Sequence, residues 1–396
     1  MVKVFKQTKR YHKIRNGIFL SGISVFAQLY LFQPLLPALC SAFNVTVAMS
    51  SLVISAGTVG MAVGLFILAF RADAIERKKL MVFSLLISAF LTVFSAFSPS
   101  FLILVLLCFF KGMVLSGVSA VALAYLSEEI RPAILGVAIS IYLSGNTLGG
   151  MLGRVSAGLM EGWLGWRLTT MIIGIFTLFL GIIFTKYLPK SANFEPKKAV
   201  FSQKLALMGS FLKQPVLLSL FLIAMLSMGT FISVYNYLDF HLAEPPFSLP
   251  HYVIALIFIM YLAGIAGSLM TGKWSDRKNL TWVLQMVLLL FLLGLAGLFS
   301  QHLWLLILGL GILTFGFFGT HTMASRLVST YAPEGKSSAV SLYWLFYYIG
   351  SSVLGSLTGM IISASNWYVF VIVLMILIAI AFLFAFSIKK NLTSIS

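Results

Sequence analysis

Lys111 is the side chain with the most chemistry to account for. It stands ten residues into an apolar run that begins near residue 101. A helix rising 1.5 Å per residue puts its ammonium about 15 Å deep, close to the middle of a bilayer. A charge at that depth is costly and usually serves a purpose. None of the ten Asp and Glu reaches it: Asp73, Glu76, Glu128, Glu129, Glu195, Asp276 and Glu334 lie in or near gaps on one side, and Glu161, Asp239 and Glu244 on the other. Two chemistries follow. An anionic ligand supplies the missing charge, or Lys111 itself cycles between protonated and neutral forms. The plainer alternative is a lysine that is neutral, or bonded to backbone carbonyls, and only structural.

Other polar groups inside apolar runs form a second tier. Ser21, Ser24 and Gln28 make one helical stripe, whereas Gln33 lies about 140° round the helix from Gln28. The two amides therefore cannot face one cavity squarely, unless Pro34 bends the helix. Asn146 sits near mid-depth, and Tyr343 and Tyr347, one turn apart, are too deep to be interface anchors. Tyr235, Asn236, Tyr237 and Asp239 mark the outer end of a further run. His321, the lone His of the membrane body, is a proton relay or a hydrogen-bonded packing residue. The candidate cavity set is Gln28, Gln33, Lys111, Asn146, Tyr235, Asn236, Tyr343 and Tyr347, and the candidate proton groups are Lys111, His321 and Asp239. Arg154, near the outer end of its run and within reach of Glu161 seven residues on, reads as structural first, or as part of an outer gate. No metal-ligand spacing occurs, and Cys40 and Cys108 both fall in apolar runs.

The elements that must position these groups are membrane helices. Apolar residues make up 60% of the 396 and charged residues 9%, confined to short gaps. Runs and breaks predict twelve helices, at about 17–40, 47–69, 80–98, 101–126, 134–160, 168–188, 216–240, 251–271, 280–300, 303–325, 337–362 and 367–388. With the basic tail Lys3 to Arg15 in the cytosol, every second gap is basic, and only Lys111, Arg154 and Arg167 fall elsewhere. That is the positive-inside pattern, with both termini cytoplasmic. The +17 net charge is thus orientation rather than nucleic-acid binding, since no soluble basic domain gathers it. The first apolar run is read as an uncleaved span, because no soluble mature protein follows it. No Walker loop is present, and no intramembrane metal or paired-carboxylate set suggests a membrane enzyme.

The longest gap, 189–213, carries Pro189, Pro196 and five Lys, with Lys186 just before it, and separates residues 1–188 from 214–396 as two six-helix halves. Fragments recur across it at nearly one offset: Ala69-Phe-Arg-Ala-Asp73 with Gly272-Lys-Trp-Ser-Asp276, Glu129-Ile-Arg131 with Glu334-Gly-Lys336, and Tyr142-Leu-Ser-Gly145 with Tyr347-Tyr-Ile-Gly350. Both halves start on the same side, so the repeat is parallel. The glycines at 145, 149 and 153, spaced four apart on one face, suit close helix approach.

Twelve spans in two halves, with related loops after spans 2 and 8, resemble the major facilitator superfamily over nearly the whole chain. Gln33-Pro-Leu-Leu-Pro37 and Ala122 to Glu129 resemble its bacterial drug:proton antiporter-like branch. So do Ser144 to Arg154, Tyr235-Asn-Tyr-Leu with Pro245-Pro246, and Tyr347 to Ser352. The resemblance implies an all-α membrane protein of two pseudo-symmetric six-helix bundles rocking around a central cavity. It also implies a multi-pass protein of the bacterial inner membrane, monomeric and without cofactor. Its activity would be proton-coupled export of a small organic molecule, with uptake or exchange of an organic anion at Lys111 as the alternative. A non-transporting sensor on the same fold is a further one. Asp73, Arg77 and Lys78, and in the second half Gly272, Asp276 and Arg277, match the family's cytoplasmic gating loop. Ala69, Ala74 and Glu76 depart from it, so the second copy is expected to carry more of the latch. Gly136, Gly145, Gly149 and Gly150 match the antiporter motif, with Asn146 where Pro is usual. Cys108 to Gly112 matches the span-4 motif with its Arg absent and Lys111 one turn deeper.

Overall fold

The computed structural model describes residues 8–196, 201–275, 277–332 and 335–393. Eleven helices among the described residues are long and apolar enough to cross a membrane. We label the first four α1 (Lys9–Phe43), α2 (Val47–Arg71), α3 (Arg77–Ser95) and α4 (Phe101–Glu129). Thr8 caps α1 by accepting from the Tyr11 amide, and Ser100 caps α4 by accepting from that of Ile103. Such caps satisfy amides that no helical carbonyl can reach. A tighter turn at Gln33–Leu35 interrupts α1 where Pro34 lacks its amide hydrogen.

The next helix runs from Pro132 to Tyr187, 56 residues. Straight, it would measure about 84 Å, against about 30 Å of hydrocarbon. It breaks at Gly165, whose φ of 70° and ψ of 165° are open to glycine and not to a helix. The two arms run back along one another. A side chain grown at Gly17 would meet Leu188, and one grown at Gly145 would meet the Phe19 carbonyl, so residues 145 and 188 flank the same turns of α1. The arms are α5 (132–164) and α6 (166–187), which makes twelve passes.

A short helix, Phe201–Leu212, follows. Then come α7 (Pro215–Ala243), α8 (His251–Ser275), α9 (Leu280–Gly297), α10 (Leu303–Tyr331), α11 (Ser338–Ala364) and α12 (Trp367–Ile388). Asn279 caps α9, accepting from the Thr281 and Trp282 amides. In α11 one turn widens to a π-helix at Gly350–Leu354.

The chain divides into two compact units, Met1–Asn44 with Ala56–Val200, and Val45–Ser55 with Phe201–Ser396. A cut at the linker alone would leave residues 45–55 in the first. They group with the second because Ser51 meets Tyr237, and Ser55 meets Ser352 and Ser356. Within the first unit, α1 packs on α5 with backbones nearly touching. A Cβ at Gly153 would lie 2.6 Å from the Ala27 Cα and one at Gly145 the same distance from the Phe19 oxygen, closer than side chains tolerate. Apolar side chains face outward in both units: Trp163 is 86% exposed and Leu383 66%, as lipid contact allows and water would not.

Candidate functional site: buried polar groups in each unit

In the first unit the polar groups gather around the bend of α1. Gln28, fully buried, donates to the Ser24 carbonyl and hydroxyl at 3.1 Å each, and accepts from Thr92 of α3 at 3.0 Å. Gln33 turns the other way and accepts from Nε of Arg154 on α5 at 2.5 Å. The two amides thus serve different neighbours, as their angular separation requires. Arg154 is 1% exposed. It also donates to the Gly150 carbonyl at 2.7 Å and lies over the Tyr30 ring at 4.2 Å. The structure turns this guanidinium inward to α1, which corrects the expected pairing with Glu161 as its main role.

Lys111 is placed by its neighbour. Gly112 faces Gly57 so closely that a Cβ there would collide with the Gly57 carbonyl, fixing α4 against α2. Lys111, about 100° further round, is then directed at α1. Its Nζ is buried, has no hydrogen-bond partner among the described residues, and sits 4.8 Å from the centre of the Phe32 ring. Asn146, half-buried, abuts Gly22 of α1, and its Oδ1 also has no partner among the described residues.

At the other end of this unit, Arg77 is buried and sends Nε and Nη2 to one oxygen of Glu128 at 3.1 and 2.9 Å, and Nη1 to the Ala72 carbonyl at 2.7 Å. Lys78 stands half-buried beside it. Glu129, fully buried, accepts from Arg10 at 2.7 Å and from the amides of Ala192 and Asn193 at 2.6 and 3.0 Å. The Asp73 side chain lies outside what the structure describes, as do the surroundings of Gly136.

In the second unit, the Tyr235 hydroxyl pairs with Thr314 at 2.8 Å, and its ring packs against Phe258 and Tyr261. Asn236 donates to the Gly355 carbonyl at 3.4 Å, which Tyr237 also reaches, at 2.8 Å. Asp239 pairs with His251 at 2.7 Å, so its carboxylate is engaged near the start of α8. His321 and Tyr343 meet: Nδ1 and the hydroxyl are 2.7 Å apart, with the rings of Trp344 and Tyr347 at 5.2 and 5.0 Å. Tyr343, Tyr347 and His321 therefore form one cluster between α10 and α11. Of the loop after α8 expected to act as a second gate, Arg277 is exposed and a Cβ at Gly272 would meet nothing within 4 Å. Asp276 lies outside the described residues.

Sequence reading passed over several partners. Phe32 beneath Lys111 and Thr314 opposite Tyr235 lie far apart in sequence from the groups they contact, and His251 meets Asp239 across the loop between α7 and α8; no local pattern flags them. Arg154 had a signal, since a charge four residues after Gly150 lies on the packed face of its helix.

Long apolar helices with buried cations, phenols and an imidazole suit a protein that carries polar groups through a membrane, and similarity to known proteins gives the family. The model of the Major Facilitator Superfamily matches residues 18–279 and 247–393. The MFS-type transporter YybF of Bacillus subtilis is 36% identical, over 93% of this chain and 91% of its own length. The inner membrane transport protein YnfM of Escherichia coli is 32% identical, over 91% of this chain and 86% of its own. Among solved structures, a bacterial homologue of the lysosomal transporter Spinster, inward-facing and occupied, superposes with a TM-score of 0.78 at 14% identity, covering 97% of this chain and 98% of that one. The nucleoside transporter NupG gives 0.77 at 14%, covering 95% and 99%. The chain belongs to the major facilitator superfamily.

Proposed function

We propose that this protein is a secondary active transporter of the bacterial inner membrane that exports a small organic molecule in exchange for protons. In this reading two six-helix bundles alternate access to the substrate, both termini are cytoplasmic, and the working unit is a monomer in lipid. The loops at Asp73, Arg77 and Lys78 and at Gly272, Asp276 and Arg277 serve as the cytoplasmic latch. The observation that carries the proton part is the 2.7 Å contact between His321 Nδ1 and the Tyr343 hydroxyl. Imidazole is the side chain whose ordinary titration lies nearest neutral pH, and a phenol can accept or pass the same proton.

The test is His321→Gln in proteoliposomes. Glutamine keeps a hydrogen-bonding group of similar reach but does not titrate. The variant is expected to lose accumulation driven by a pH gradient while keeping exchange of labelled for unlabelled substrate. Undiminished gradient-driven accumulation removes His321 from the proton path. A second reading, uptake or exchange of an organic anion bound by Lys111, is favoured by its Nζ, which has no hydrogen-bond partner among the described residues and would be met by a counter-charge that arrives and leaves.

A further inference from the structure

The segment that follows α6 is tied down by its main chain. The Pro189 carbonyl accepts from the Tyr125 hydroxyl at 2.9 Å and the Lys190 carbonyl from Arg10 at 2.8 Å, while the Ala192 and Asn193 amides donate to Glu129. The Lys190 side chain takes no part and is exposed. Helix α3 runs antiparallel beside α6: a Cβ at Gly174 would meet Val93, and one at Gly181 would meet Leu86. Lys78, eight residues before Leu86, therefore stands level with Pro189, eight after Gly181. The charge of Lys190 reaches Lys78 and opposes it. The acids around them are engaged: Glu76 faces Lys79 at 3.9 Å, Glu128 holds Arg77 and Glu129 holds Arg10. Lys79 and Lys186 are exposed on the same corner. Two like charges are thus kept together by bonds that neither ammonium makes, and a negative charge between them would relieve the repulsion. Apolar side chains begin beside this charge, with Phe83 of α3 and Ile182 and Tyr187 of α6 exposed.

We propose that the Lys78–Lys190 corner binds the phosphate of an anionic phospholipid, with the acyl chains lying along Phe83 and Ile182. The proposal rests on the reading that both termini are cytoplasmic, and on neither transport nor proton coupling. Lysines just beyond the apolar part of a membrane helix attract anionic headgroups, and an aromatic ring such as that of Tyr187 belongs at headgroup level. A soluble phosphate would meet the same ammoniums but would leave the apolar face uncovered, so the lipid is the ligand that satisfies both. Lys78, matched above to the family's gating loop, then has a lipid phosphate as its counter-charge, and the occupied site ties the start of α3 to the segment after α6.

Dioleoyl phosphatidylglycerol, dioleoyl phosphatidylcholine and glycerol 3-phosphate, each titrated into the purified full-length protein in detergent, test this through the thermal unfolding midpoint. Phosphatidylglycerol is expected to raise the midpoint of the wild type. Phosphatidylcholine, with the same chains and no net charge, and glycerol 3-phosphate, with the charge and no chains, should leave it in place. Lys78→Gln combined with Lys190→Gln should move the phosphatidylglycerol titration about thirtyfold to higher concentration. Lys273→Gln combined with Lys278→Gln, an equal loss of charge at the loop after α8, should not move it. If the first pair does not fold, Lys190→Gln alone serves, with an expected shift of about fivefold. The proposal is overturned if the two lipids act alike, if glycerol 3-phosphate acts as strongly as the lipid, if the Lys78 and Lys190 variants titrate as the wild type does, or if the Lys273 and Lys278 pair shifts the titration as far. No flux and no pH gradient enters the measurement, so its failure is separable from failure of the transport reading.

Discussion

A buried ammonium without a hydrogen-bond partner among the described residues is a poor structural element, and that makes Lys111 informative by itself. If the group were there for stability, removing it would leave a hole in a bonded network. If it waits for a ligand, removing it relieves an unpaired charge. Lys111→Met, similar in volume and apolar, is therefore expected to leave the thermal midpoint unchanged or to raise stability by up to about 3 kcal/mol, the scale of a charge at the centre of a membrane helix. A clear drop in the midpoint of the purified variant would show that Nζ is satisfied in the resting protein. At this scale the sequence was legible by residue type and not by partner. The depth of Lys111 follows from counting along its helix, and the divergence of Gln28 and Gln33 from the 100° step. That Gln33 meets Arg154 depends on packing between distant segments, and that Asp239 meets His251 depends on how the chain turns from α7 into α8. Glu129 is a similar case: the sequence marks it as one more acid in a gap, while the structure ties Arg10 and the 192–193 amides to it.

At the scale of the helices, hydropathy located the passes and missed how they end and bend. The first span, expected at 17–40, extends to Lys9–Phe43, because Thr8 caps a basic amphipathic turn that hydropathy does not count. The expected gap between spans 5 and 6 shrinks to Gly165. The helix Phe201–Leu212 inside the 189–213 linker is amphipathic but too short for a span, and the π-turn of α11 leaves no mark on hydropathy. The glycine spacing of α5, by contrast, was readable as a packing face, and a test of stability follows. A Cβ at Gly149 would press into the backbone of Ile23, whereas one at Gly209 would meet nothing within 4 Å. Gly149→Val should cost about 1–3 kcal/mol or more by overpacking. Gly209→Ala, in the open helix Phe201–Leu212, should be neutral or gain about 0.5–1 kcal/mol. Thermal midpoints of the two variants decide it, and equal effects would mean that α1 and α5 are not held this tightly.

For the whole molecule, composition and charge pattern said membrane, passes and orientation, and the repeat said two related halves. What the sequence could not say is how labour is divided, since that depends on which polar groups share a neighbourhood. The first unit gathers two cations on a bent helix, and the second gathers an imidazole and phenols. In the readings proposed above Lys111 of the former meets substrate charge and the latter handles the proton, so substrate and proton movements must be linked in one carrier. Flux in proteoliposomes, with pH gradients of both signs imposed across the membrane and a panel of organic anions and cations as solutes, tests that claim most directly. Solute movement should be driven by the gradient, reverse direction when the gradient is reversed, and disappear when it is collapsed. Fluxes that ignore the gradient, or no flux of any solute from protein that still binds one, would contradict it.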